Sequence, residues 1–210
     1  MRRAAVGPDD VAFVSDLLDA VSTRLCVDPR RVFATGISDG ADMANTVACA
    51  LPDRVAAVAP VAPSVLPDRV AAVAPVAPSV LPEGCATPAP SLLEIHGTAD
   101  RIVPYLGGGP DRPPPFQGTR AQPAEQRLAR WAALVGCRGR PTWTGVTGSV
   151  RFLRWGCGPG RDVGLLAVAA GGHTWPGAAP DPTLGPTTGE ISANRVILLF
   201  FRGHPQLRAA

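Results

Sequence analysis

The chain has 210 residues and a mass of 21.7 kDa, which suits one domain over 1–210, and its 46% hydrophobic and 18% charged content excludes a disordered or collagen-like chain. Mean hydropathy is +0.13, and no apolar run of about 18 residues is free of charge or proline, so neither a transmembrane helix nor a membrane partner is expected. A net charge of +3 spread without a basic block, with 5% aromatic residues, argues against nucleic acid as a partner.

In chain order, Met1-Arg2-Arg3 is a short basic start with no apolar stretch behind it, so no signal peptide is expected in this chain as given. Asp9 or Asp10 caps a helix whose apolar positions Val11, Val14, Leu17, Leu18, Val21 and Leu25 follow the 3.6-residue period. A short strand is expected over Arg31 to Thr35, and a helix through Met43 and Val47 to Ala50, stopped by Pro52. Leu51 to Val65 then repeats letter for letter as Leu66 to Val80. Two identical copies point to a recent duplication and not to a solenoid, which needs more and longer units. Each copy holds a strand candidate, Val55 to Ala59 and Val70 to Ala74, and the fold needs one of them, so the other is expected to bulge out.

Further strands are expected at Ser91 to Ile95, Val150 to Trp155 and Val163 to Ala169. A helix carrying Leu128, Trp131 and Leu134 starts near Pro123 and stops at Gly136, and Ser192 caps a last helix through Val196, Leu199 and Phe200. Strands alternating with helices predict an α/β fold with an open sheet. The 24 prolines and 23 glycines cluster in Gly107 to Pro115 and Gly171 to Pro186, which marks those stretches as surface loops. All 20 basic residues are arginine, a sign of coding bias and not of function. The five cysteines, Cys26, Cys49, Cys85, Cys137 and Cys157, form no CxxC pair and no cluster with histidine, so no zinc site is expected. Their spacing fits either reduced buried thiols or two disulfides with one cysteine left over.

The chemistry concentrates in three short runs. Gly36-Ile37-Ser38-Asp39-Gly40 lies between a predicted strand and a predicted helix, the context of a nucleophile elbow. There a strained turn lifts the serine Oγ above the sheet, and glycines two places to either side remove Cβ atoms that would clash. A serine nucleophile needs a base and an acid to orient it, in the order Ser, Asp, His along such a chain. Asp100 follows the strand ending at His96-Gly97, and His173 follows the strand ending near Ala169. The plainer roles are a turn-forming side chain for Asp100 and a loop histidine packed on Trp175 for His173. Of the other two histidines, His96 is expected to satisfy a local hydrogen bond beside the acid loop, and His204 lies in a polar tail.

The runs FATGISDGADMAN, HGTADRIVPYLGG, RWAALVGC and GGHTWPG together resemble the polyhydroxybutyrate depolymerase and feruloyl esterase family of α/β-hydrolases over nearly the whole chain. The resemblance implies a mostly parallel sheet flanked by helices and an extracellular serine esterase acting on a small or polymeric ester. Polyhydroxyalkanoates and feruloylated or acetylated polysaccharide are the substrate classes. It implies Ser38 as nucleophile, His173 as general base, Asp100 as its orienter, the backbone N–H of Asp39 as an oxyanion donor and Trp175 as a wall of the ester pocket. No metal or organic cofactor is implied. The resemblance also favours disulfides Cys49–Cys85 and Cys137–Cys157, leaving Cys26 free.

Against the family pattern the chain is expected to be N-terminally truncated. Family members begin with further strands and a His-Gly loop that supplies a second oxyanion N–H. Asp39 also departs from the pattern, because the family has a neutral residue there. The competing readings are an inactive fragment of such an esterase, and a non-catalytic polysaccharide- or polyester-binding module that presents Trp143, Trp155 and Trp175 on one face.

Overall fold

A computed structural model describes residues 9–63, 85, 89–108 and 121–206. Asp9 caps α1 (Asp10–Arg24) by accepting from the Ala12 N–H at 2.9 Å. A 3-10 turn over Pro29–Arg31, capped by Asp28, leads into β1 (Phe33–Ile37), so the strand starts and ends two residues later than the composition suggested. Proline at the first turn suits a helical start, which delays the extended backbone, and Gly36 and Ile37 then pair with Pro60 and Val61. α2 is Asp39–Ala50 and β2 is Ala57–Val61, again two residues beyond the expected span. The first copy of the duplication therefore fills the strand position; the second, Val70 to Ala74 included, lies outside the described residues.

β3 (Ser91–Gly97), α3 (Ala124–Val135), β5 (Val150–Trp155), β6 (Val163–Val168) and α4 (Ala193–Gly203) fall where expected. The short strand β4 (Thr142–Gly145) had no signal of its own and exists as the antiparallel partner of β5. Gly136 ends α3 at φ 84°, a left-handed value that glycine adopts without penalty, and Ser192 accepts from the Arg195 N–H at the start of α4. No helix among the described residues is long and apolar enough to cross a membrane.

The sheet runs β1-β2-β3-β6-β5-β4. Its first four strands are parallel, and β5 and β4 continue it antiparallel. Period-two alternation decides what each face buries. Val58, Leu92, Leu153 and Leu165 pack beneath α2 and α3, against Val47, Ala48, Leu128 and Trp131. Ala57, Ala59, Leu93, Ile95 and Leu166 face the other way, onto Ala193, Ile197 and Phe201 of α4. β3 and β6 are buried along their whole length, as parallel strands covered on both faces must be. Cys49 pairs with Cys85 and Cys137 with Cys157, while Cys26 is free and exposed. The first of these bridges ties α2 to the segment beyond the duplication.

Candidate active site

Ser38 joins β1 to α2 at φ 57° and ψ −124°, a left-handed backbone that a residue with a Cβ holds only under constraint. Two features impose it. The Ser38 N–H donates to the carbonyl of Val61 at the end of β2, at 3.1 Å, and the Ser38 carbonyl already accepts from Ala41 and Asp42 as the first helical acceptor. Gly36 must lack a side chain, because a Cβ there would lie 2.5 Å from the carbonyl carbon and oxygen of Gly40. Gly40 is different. A Cβ on it meets nothing within 4 Å among the described residues, so only the first glycine of the pair is sterically required. Asp39 opens α2 and is exposed; its N–H is a first-turn donor with no partner among the described residues.

Asp100 and His173 come from the ends of adjacent strands, β3 and β6, and meet. His173 Nδ1 lies 2.8 Å from Asp100 Oδ2 across 73 residues of sequence, and both side chains are buried. Asp100 makes the contacts that both readings of it require. Its Oδ1 accepts from the N–H groups of Ile102 and Val103, each at 2.8 Å, which makes the turn, while Oδ2 faces the imidazole. Burial pushes the Asp100 carboxyl up, but its hydrogen bond with His173 and its ion-pair contact with His96 outweigh it and hold the group well below the usual carboxylate range. With Nδ1 directed at the carboxylate, His173 Nε2 has no protein partner among the described residues and is the atom left to serve a nucleophile. Among those residues no hydrogen bond joins it to Ser38 Oγ.

The two loops are locked together by close backbone contact. Gly97 packs so tightly on the histidine loop that a Cβ would sit 2.3 Å from the Gly171 carbonyl oxygen and 2.4 Å from that of Gly172. Across this contact the Thr98 N–H donates to Val168 O and the Ala99 N–H to Gly171 O, both at 2.9 Å. The His173 N–H donates to Leu184 O at 2.7 Å and so fixes the outer turn of the loop. A cleft of about 490 Å³ is lined by Ala99, Arg101, Ile102, Thr183, Leu184 and Pro186 of these loops, and Ser38, Asp100 and His173 do not line it. Trp175 does not line it; its Nε1 donates to Asn194 Oδ1 at 3.0 Å and its ring packs on the α4 side of the core.

His96 makes the local bonds expected of it, to Glu94 and to the Val103 carbonyl, each at 2.9 Å. Glu94 is paired with Arg127 of α3, through Nε at 3.2 Å and a shorter contact from Nη2. These two residues escaped the sequence reading. The signal was a lone carboxylate inside the apolar strand SLLEI, and an arginine spaced three after Ala124 and four before Trp131 on the buried face of a helix. His204 is no free tail residue: it closes α4 and contacts Asp162 at 2.9 Å. Trp155 is 6% exposed within the core, and Arg151 stacks over Trp143, so the three tryptophans do not form one open binding face.

A serine in a strained strand–helix turn, with a buried Asp–His pair on neighbouring strand ends of a mainly parallel sheet, defines an α/β-hydrolase architecture. Its fold is similar to that of the acetyl xylan esterase from Aspergillus awamori, with a TM-score of 0.56 and 15% identity over 92% of this chain and 67% of that one. In sequence it is 32% identical to feruloyl esterase B of Piromyces equi over 80% of this chain and 30% of that protein. It is 27% identical to feruloyl esterase C of Emericella nidulans over 80% of this chain and 56% of that protein. No family model matches the chain. The similarity to these feruloyl esterases supports an esterase family assignment, and the chain spans between 30% and 56% of the length of these two curated relatives.

Proposed function

We propose that the chain is a serine esterase that hydrolyses carboxylic esters by two-step acyl transfer. The observation that carries this reading is the buried His173–Asp100 contact at 2.8 Å, on the same end of the sheet as the strained Ser38 turn. In the first step Ser38 Oγ attacks the ester carbonyl while His173 Nε2 takes its proton, and Asp100 holds the imidazole in the tautomer that can do so. The N–H of Asp39, at the positive end of α2, faces the developing oxyanion. His173 then returns the proton to the departing alcohol, and water releases the acid by the reverse sequence. Feruloyl, acetyl-polysaccharide and polyhydroxyalkanoate esters are the substrate classes. Two disulfides in one domain suit an oxidising, extracellular setting.

The test is hydrolysis of p-nitrophenyl acetate and methyl ferulate, alongside covalent labelling by a fluorophosphonate. Ser38→Ala is expected to lower kcat by about 10⁴-fold or more and to abolish labelling. Wild-type turnover retained in a folded Ser38→Ala protein would refute the assignment.

A further inference from the structure

Behind the Asp–His pair lies a second layer of charge that the acyl-transfer chemistry does not itself use. Arg127, Glu94, His96 and Asp100 form a continuous buried chain from α3, through β3, to the acid of the proposed triad. We propose that His96 is a buried imidazolium that positions Asp100, holding its carboxylate ionised and limiting how strongly it raises the basicity of His173. This role rests on the esterase reading above, whereas the charge state of the ring does not.

The geometry dictates the charge. His96 Nε2 lies 2.9 Å from the Val103 carbonyl oxygen, which can only accept, so this nitrogen carries a proton. Nδ1 lies 2.9 Å from Glu94 Oε1. Glu94 is bound by the Arg127 guanidinium through both oxygens and is therefore ionised, so it too can only accept. Both ring nitrogens then bear hydrogen. The alternative donor to Nδ1, Arg127 Nη2, is 3.4 Å away, longer than the contact with Glu94. A neutral ring would turn a lone pair toward the carboxylate at the shorter distance.

Charge balance leads to the same state. All four side chains are essentially excluded from solvent. With His96 neutral, one guanidinium faces two carboxylates, and one buried anion lacks a counter-ion. With His96 charged, two cations alternate with two anions. Among the described residues Tyr105 is the remaining titratable group against the ring; it presents an edge-on aromatic contact with centroids 5.7 Å apart, and its hydroxyl donates to Glu125. His173 lies beyond Asp100. Burial on its own would push the His96 imidazole down, but its contacts with Asp100 and Glu94 more than offset this and hold it above the ordinary histidine value.

The consequence falls on Asp100 Oδ2, which faces His173 Nδ1 at 2.8 Å and His96 Nε2 at 3.6 Å. A cation behind the carboxylate keeps it ionised in a dry site and offsets part of its field at His173. The experiment uses ¹⁵N-histidine-labelled full chain, as wild type, Ser38→Ala and His96→Gln. Both His96 ring nitrogens are expected to carry directly bonded protons through the neutral range, in wild type and Ser38→Ala alike. In His96→Gln, which can donate to Val103 but brings no charge, the downfield proton of the His173–Asp100 bond is expected to shift. The acid limb of the pH profile for ester hydrolysis is expected to move up by about one unit. One unprotonated His96 nitrogen at neutral pH overturns the proposal, as does a His96→Gln protein with both the downfield proton and the acid limb unmoved. A wild-type chain that hydrolyses no ester overturns the esterase reading instead, and the ring nitrogens and the downfield proton still decide this one.

Discussion

Gly97→Ala isolates what holds Asp100 and His173 together. A Cβ on residue 97 would stand 2.3 Å from Gly171 O and 2.4 Å from Gly172 O, and ordinary contact begins at 3.4 Å, so the two loops must part by roughly 1 Å. The clashing atoms are backbone, and no rotamer change relieves them. Separation of that size stretches the Ala99–Gly171 bond, now 2.9 Å, and carries the His173–Asp100 contact, now 2.8 Å, beyond hydrogen-bonding range. The stability cost is about 1–3 kcal/mol by analogy with overpacked cores, or a fall in Tm of roughly 2–12 °C for a chain of this size. A misplacement near 1 Å in a catalytic constellation costs about 10² in rate. The assay pairs thermal unfolding with kcat/KM on a p-nitrophenyl ester. A Gly97→Ala protein with unchanged Tm and kcat/KM within twofold of wild type would show that the glycine contact does not set the pair, and the reasoning would fail.

The same steric logic separates the glycines of the elbow. Gly36→Ala is expected to cost about 1–3 kcal/mol because its Cβ meets the Gly40 backbone at 2.5 Å, whereas Gly40→Ala is expected to be neutral or to stabilise by up to about 1 kcal/mol through helix propensity; equal Tm losses would contradict this. Asp100 titrates below its unfolded value of 3.8, so the stability it contributes is present above that value and lost as pH falls toward its folded one. The Tm difference between wild type and Asp100→Asn should therefore shrink on acidification below about pH 4. His96 is held above its unfolded value of 6.5, so the sign reverses: its contribution is full below that value and lost as pH rises through the folded one. The gap between wild type and His96→Gln should close on the alkaline side, and a gap constant with pH would contradict both assignments.

Local rules account for what the chain revealed before folding. Capping by Asp9 and Ser192, the stop at Gly136 and the 3.6-residue period act over a few residues, so α1, α3 and α4 were legible to within a residue or two. Strand ends were less so: β1 and β2 each lie two residues downstream of their expected spans, because a strand ends where its partner does. β4 illustrates the extreme case, since Thr142–Gly145 has little pattern of its own and is a strand because β5 lies beside it.

The candidate site divides in the same way. Ser38, Asp100 and His173 were named from motif, chain order and family resemblance, each from a run of a few residues. That Asp100 and His173 touch was decided by the pairing of β3 with β6, which sets Gly97 opposite Val168 and brings together loops 73 residues apart. The Arg127–Glu94 pair, 33 residues apart, is likewise a product of packing. The sequence could flag an oddly placed charge on a strand and another on a helix. Only folding α3 onto the β3 face put those charges together, because burying either alone is prohibitive and burying both in contact is not. Backbone propensity and side-chain period are written along the chain; the partners of buried charges are set by which faces the folded sheet and helices bring together.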